Sequence, residues 1–211
     1  RNGLSTQVGV AATAGRTTLA AAFPDADLLD TGWPVGGWID TKSINALFSD
    51  GLTSFVLSAG ALPPKDPLSV TATPTARANL PTATGEIPAL LSDPTLSDAV
   101  TAGSVSGADP ELEVQRFLAE TLMVQAEAPT QSRSLIVAPS RRWSPSASYA
   151  TALLADTGNV PWLVPVTLQH ILDSAPGSVV RGSLSYPPAA RHDELPSKYL
   201  DEVAKLGHSI S

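Results

Sequence analysis

The residues of this chain best suited to chemistry are few and unevenly placed. Arg141, Arg142 and Trp143 follow closely on the apolar run Ser134-Leu135-Ile136-Val137-Ala138. A flat guanidinium beside an indole suits an anionic or sugar ligand. The same pattern also suits an arginine paired to a carboxylate, with the indole covering the edge of a core. Trp33 and Trp38 bracket a loop containing Gly36 and Gly37. They add aromatic surface of the kind that stacks on sugar rings, although tryptophan is equally a core residue. Among carboxylates, Asp30, Asp40 and Asp93 fall near the ends of expected strands. Glycoside hydrolysis needs two such groups facing one cavity. Each has a structural alternative: Asp40 and Asp93 fit helix caps, and Asp30 fits a place within a strand. Glu120, inside a long helix, fits a partner for an arginine.

Other chemistries lack their residues. The three histidines are His170, His192 and His208. A Ser-His-Asp arrangement would have to use His170, and no Gly-x-Ser-x-Gly elbow is present. There is no His-x-x-x-His or His-x-His pair for a transition metal. The cluster His192-Asp193-Glu194 reads as a solvated turn. The run from Asp25 through Asp27 to Asp30 resembles a calcium loop only loosely, without its glycine or its terminal glutamate. The segment Gly32 to Gly37 has neither the P-loop lysine nor dinucleotide spacing. No metal and no cofactor are therefore expected.

Composition narrows the class further. The chain has 211 residues, 20 acidic against 13 basic, and a formal net charge of −7. That balance argues against nucleic acid or an anionic membrane surface as the main partner. There is no cysteine, which removes disulfides, thiolate metal sites and a cysteine nucleophile. Apolar residues make up 43 % and charged residues 16 %, the balance of a packed domain rather than a disordered tail. No run of about 18 apolar residues occurs, so no membrane span is expected in this stretch. The chain begins with Arg1 and its only methionine is Met123. This reads as a piece of a longer, processed product.

The elements that must position these residues alternate along the chain. Residues 6–22 form a helix stopped before Pro24. Residues 27–34 read as a short buried strand and its exit loop. Asp40 or Thr41 caps the next helix, whose Ile44, Leu47 and Phe48 form one stripe, and Gly51 stops it. Ser54-Phe55-Val56-Leu57-Ser58 is a buried strand, which completes a βαβ unit. Prolines at 63, 64, 67, 74, 81 and 88 break the rhythm. Residues 63–88 read as a Pro/Thr-rich insertion with a mobile tip, and Leu68 to Thr73 as a possible edge strand. Regular alternation resumes with a strand at 87–92. Asp93-Pro94 and Asp109-Pro110 each open a helix. The second helix carries Val114, Phe117, Leu118, Thr121 and Leu122 on one face. Residues 134–138 form a strand, Ser144-Pro145 starts a helix with Tyr149 and Leu153, and 162–166 is the next strand. A short helix spans 168–173. The region 174–196 is loop-like, and 195–206 is a last helix with Tyr199, Leu200, Val203 and Leu206 on one side.

Strands alternating with helices imply an α/β fold with a mostly parallel sheet, either doubly wound or part of a (β/α) barrel. Sites in such folds form at the C-terminal ends of the strands. Trp33, Asp93, Arg141, Arg142, Trp143 and His170 are therefore expected to gather on one rim. The expected division is a barrel-like domain over 1–175, with 176–211 packing on it or leading onward. Five or six strands are too few for the eight of a closed barrel.

The order of motifs carries a resemblance. It runs from Trp33-Pro34-x-Gly36-Gly37 through Phe55-Val56-Leu57-Ser58 and Pro63-Pro64 to Leu90-Leu91-Ser92-Asp93 with Leu96-Ser97. It continues with Gln115-Arg116-Phe117-Leu118-Ala119-Glu120-Thr121, Val137-Ala138-Pro139-x-Arg141-Arg142-Trp143 and Trp162-Leu163-Val164-Pro165-Val166. Over residues 25–175 this resembles a family of uncharacterised actinobacterial envelope proteins encoded beside the flippase-like protein of peptidoglycan-precursor export. The resemblance implies an extracytoplasmic, membrane-anchored parent protein. It also implies a distorted or incomplete barrel of the polysaccharide deacetylase and glycoside hydrolase type. The deacetylase histidine pair is absent, and no catalytic residue is carried over by the resemblance.

Two functions follow as expectations. The first is a non-catalytic envelope module. It would bind a cell-wall glycan, a lipid-linked precursor or a protein partner, such as a membrane protein of peptidoglycan export, through Trp33, Trp38, Arg141, Arg142, Trp143 and His170. The second is a metal-independent glycan hydrolase using Asp93 with Asp30 or Asp40. The second is to be dropped if each rim carboxylate caps a helix or pairs with arginine.

Overall fold

The structure, a computed structural model, describes residues 5–26, 28–82, 85–105, 107–192 and 194–210. Asp27 and Asp193, named above in a calcium-like run and a charged turn, lie outside the described residues.

The chain opens with helix α1 (Ser5–Ala22) and strand β1 (Thr31–Gly32), followed by α2 (Thr41–Ser49) and β2 (Ser54–Ser58). Strands β3 (Arg77–Thr82) and β4 (Gly85–Ser92) form a hairpin. Helices α3 (Pro94–Ala102), α4 (Pro110–Glu127) and α5 (Ala147–Asn159) come next, then α6 (Leu168–Asp173), α7 (Pro188–Arg191) and α8 (Ser197–Ile210). The sheet is open, in the order β1-β2-β4-β3. Pairings β1–β2 and β2–β4 are parallel, and β3–β4 is antiparallel. The α/β, mostly parallel architecture expected from the alternation is present.

Burial follows the two faces of the sheet. Phe55 and Leu57 of β2, Ala89 and Leu91 of β4, and Ala78 and Leu80 of β3 share one face with Ile44 of α2. Val56 and Leu90 point the other way and meet Ile171 of α6. All five residues of β2 are buried, as the continuous apolar run requires of a strand covered on both sides. A third cluster lies among α3, α4 and α5, around Leu96, Val114, Phe117 and the fully buried Tyr149. Each fully buried Leu or Phe contributes roughly 1.5–3 kcal/mol over an exposed one.

Several expectations need correction. The edge strand lies at Arg77–Thr82, whereas Pro67–Ser69 is a single 3-10 turn. Both prolines of the hairpin sit where no ladder donor is needed. The Leu91 N–H donates to the Ala76 carbonyl at 2.8 Å. With the observed register, Asn79↔Pro88 and Pro81↔Glu86 are then the pairs that exchange no hydrogen bond. The Pro81 nitrogen faces out from an edge strand, and the Pro88 nitrogen faces the side of β2 before pairing begins at Phe55↔Ala89. Within 63–88, then, residues 77–82 and 85–88 belong to the sheet.

The expected strand at 134–138 is reduced to one parallel bridge, Ser92↔Ile136, because it meets β4 only at its last residue. The expected strand at 162–166 has no ladder partner among the described residues. Trp162 is instead tied to α4, its indole N–H donating to the Thr121 hydroxyl at 3.1 Å. The cap of α5 is Ser146, two residues beyond Ser144.

The C-terminal segment is woven into the sheet. Gly177 N–H donates to the Arg77 carbonyl, Gly182 N–H to Pro63, Ser185 N–H to Ala61, and Lys65 N–H to Val180. Residues 177–185 therefore strap across the 61–77 segment. On α8, Tyr199, Val203 and Leu206 are exposed.

Candidate functional site

The rim of the sheet is formed where β1, β2 and β4 end. After β1 the chain turns through Trp33 and Pro34 into a 3-10 turn, Val35–Gly37, held by Gly37 N–H to the Pro34 carbonyl at 2.9 Å. Gly37 has φ +72°, and a Cβ placed there would lie 2.2 Å from the Ser58 nitrogen. The loop thus lies directly on the end of β2, and only glycine permits that approach. This seats Trp38 half-buried against Gly60 and the sheet core. Trp33 and Val35 remain exposed on the same loop.

Two of the residues expected on this rim meet. Arg141, after the 136 bridge, donates from Nη2 to the Trp33 carbonyl. Its guanidinium holds the loop rather than standing free for an anion. Trp143 turns away: its indole N–H donates to the Val100 carbonyl at 3.2 Å and its ring packs on the helical cluster. It covers the core edge, the structural alternative named for it. Arg142 is exposed and makes no hydrogen bond or ion pair with the described residues.

His170 is not brought to the rim loop. It lies on α6, whose Thr167 hydroxyl accepts from the His170 backbone N–H. Gln169, Leu172 and Asp173 of that helix line a cleft of about 350 Å³ with Asp30, Thr31 and Ser54, at the opposite, N-terminal ends of β1 and β2. The reason is that α6 follows an extended segment, not a paired strand, so its loop does not emerge at the rim.

The three carboxylates are engaged and separate. Asp30 sits before β1 and pairs with Arg16 of α1 at 2.5 Å. Asp40 accepts from the Ser43 backbone N–H at 2.7 Å and caps α2. Burial raises its pKa, but hydrogen bonding by Ser43 and the charge of Arg191 outweigh this, and the carboxyl stays below its ordinary value. Asp93 accepts from the Leu96 N–H at 2.9 Å and caps α3. It lines a small cavity of about 50 Å³ together with Arg181. The Arg181 guanidinium donates to the Leu62 carbonyl at 3.3 Å, and burial lowers its pKa. Among the described residues no three of His, Cys, Asp and Glu converge as metal ligands.

A cleft of about 250 Å³ opens beside the rim loop. It is lined by Val35, Trp38, Ile39, Asp40 and Ser43 on one side, and by Tyr186, Ala190 and Glu194 on the other. The Tyr186 hydroxyl donates to Glu194 Oε1 at 2.7 Å. That bond, with burial and the charges of Glu194 and Asp40, pushes the phenol up to about 12. The Arg191 guanidinium lies 5.4 Å from the Tyr186 ring centroid, within cation–π range. Trp38 and Asp40 were legible from the sequence as rim residues. Tyr186, Arg191 and Glu194 were not. Their only signal was Tyr186-Pro187-Pro188, which forces extended backbone but does not say where the segment docks.

The fold and this rim define an open, mostly parallel α/β unit with an aromatic and acidic cleft at the strand ends. The chain belongs to DUF6049, a family of unknown function, whose sequence model matches residues 5–207. A search of curated proteins finds no match.

Proposed function

We propose that this chain is part of an extracytoplasmic cell-envelope protein of actinobacterial type, and that it binds a cell-wall glycan without turning it over. In this reading it supports peptidoglycan assembly beside the precursor-export machinery, with a membrane protein of that machinery as a possible partner. The open sheet is read as an incomplete (β/α) barrel, supported by the extended segments 134–138 and 162–166 beyond β4. The resemblance carried by the motifs supports the envelope setting.

The single observation that favours binding is the cleft, where an indole and a phenol flank two carboxylates and a serine. Aromatic faces with hydrogen-bonding groups around them are the chemistry of sugar recognition. The two-carboxylate hydrolase is not carried forward, because Asp30 is in an ion pair and Asp40 and Asp93 cap helices. No described helix is long and apolar enough to cross a membrane, so any anchor in this reading would lie elsewhere in the parent protein.

The test is sedimentation with purified cell-wall glycan together with calorimetry on soluble fragments. Binding that is lost in Trp38→Ala and weakened in Arg141→Ala, with no new reducing ends released, supports the proposal. No binding, or binding indifferent to Trp38→Ala, overturns it.

A further inference from the structure

The rim cleft also has a chemical bias. Resting on the glycan-binding reading above, we propose that it takes a sugar ring free of phosphate, so that the ligand is glycan rather than a pyrophosphate-linked precursor.

The cleft presents polar groups from both walls. Its hydrogen-bonding groups are the carboxylates of Asp40 and Glu194, the Ser43 hydroxyl and the Tyr186 hydroxyl. One oxygen of Asp40 is used by the Ser43 backbone N–H, and one oxygen of Glu194 by Tyr186. The Ser43 hydroxyl and the Lys42 N–H also act on Asp40, whereas the second oxygen of Glu194 remains an acceptor for ligand O–H or N–H groups. The Trp38 indole N–H makes no hydrogen bond with the described residues, so it can donate to a sugar hydroxyl. Trp38 and Tyr186 supply the apolar faces that the C–H side of a pyranose requires.

Charge then decides between ligands. Among the described residues, the cation whose charge acts on Asp40 is Arg191, which lies over the Tyr186 ring. Of the two arginines after the 136 bridge, Arg141 is turned to the Trp33 carbonyl, and the exposed Arg142 does not line the cleft. A phosphate would therefore meet two carboxylates against one guanidinium already engaged. Phosphate sites show the reverse: convergent Arg or Lys, or free backbone N–H groups. A hydroxyl-rich neutral ring meets no such penalty. The volume of about 250 Å³ is below the ~300–1,000 Å³ of drug-sized sites, which suits one ring entering from the rim.

The experiment compares one sugar with and without phosphate. The methyl glycoside of N-acetylglucosamine and N-acetylglucosamine 1-phosphate are titrated into the protein, followed by amide and indole NMR shifts. Chitotetraose serves as a phosphate-free oligomer. The methyl glycoside should bind at least tenfold more tightly than the phosphate. The double variant Asp40→Asn/Glu194→Gln should narrow that ratio to below threefold; asparagine still caps α2, and circular dichroism checks the fold. Equal or tighter binding of the phosphate, or a ratio unchanged in the double variant, overturns phosphate exclusion while leaving the glycan-binding reading intact. No binding of any of the three, nor of cell-wall glycan, overturns both.

Discussion

Gly37→Ala tests how the rim is built. At Gly37 two costs coincide. Its φ of +72° is left-handed, and a Cβ there costs about 1–2 kcal/mol. The same Cβ would stand 2.2 Å from the Ser58 nitrogen and 2.9 Å from the Leu57 carbonyl carbon. Both are backbone atoms of β2, a strand buried along its whole length, so neither can swing aside as a side chain would. Relieving that overlap by moving the loop costs a further ~1–3 kcal/mol, as overpacking does. The expected loss is about 2–5 kcal/mol. Gly51→Ala is the control: its φ is +96°, with nothing within 4 Å of the new Cβ. It therefore incurs only the conformational cost of about 1–2 kcal/mol. Urea unfolding of both variants gives the difference directly. Gly37→Ala should be the less stable, with altered Trp38 fluorescence because the loop lifts from β2. A difference of less than about 0.5 kcal/mol, the scatter of ordinary surface substitutions, would refute the seating of the loop on the strand.

Other outcomes follow from the same contacts. Tyr149→Phe removes the hydroxyl that donates to the Val100 carbonyl at 3.2 Å and should cost about 1 kcal/mol in urea unfolding. At Glu127, burial opposes the charged form, but the Thr73 N–H and hydroxyl and Arg133 outweigh it and hold the carboxyl below its ordinary 4.5. Its stabilisation is complete above the unfolded value and is lost as pH falls through the lower folded value. Glu127→Gln should therefore flatten the acid limb of urea midpoints measured from about pH 6 to about pH 3. Glu194→Gln removes the acceptor charge that keeps the Tyr186 phenol protonated. Its titration, followed by ring-carbon NMR, should fall from about 12 toward the ordinary 10.0.

How much was legible in the sequence depends on whether the signal was local. The caps Asp40, Asp93 and Asp109 were readable because capping uses the side chain and backbone of adjacent residues. The strand Ser54–Ser58 was readable because burial on both faces leaves an unbroken apolar run. The β3–β4 hairpin is hidden in the sequence by Pro81 and Pro88, which read as strand breakers. Whether a proline breaks a strand depends on which side its nitrogen faces, and that is fixed by register with a partner. The run at 162–166 has strand composition, yet Trp162 finds Thr121 and no ladder forms. On the rim, Trp33 and Arg141 both leave the C-terminal ends of parallel segments, and the Arg141 side chain meets the Trp33 carbonyl although β2 and β4 lie between those segments. The opposite wall of the cleft, Tyr186 to Glu194, comes from about 150 residues later along the chain. It is held there by the strap of residues 177–185, whose long-range backbone bonds leave no periodic trace.

The indole resonances of the four tryptophans offer the most direct test of ligand binding at the rim. Trp143 and Trp162 have their indole N–H groups tied to Val100 and Thr121 within the helical layer, whereas Trp38 lines the cleft. On titration of the ¹⁵N-labelled protein with chitotetraose, the Trp38 indole signal should move in proportion to saturation. Those of Trp143 and Trp162 should stay in place. A response confined to Trp143 or Trp162, or shifts clustered at Asp30 and Asp173 on the opposite edge, would contradict the account.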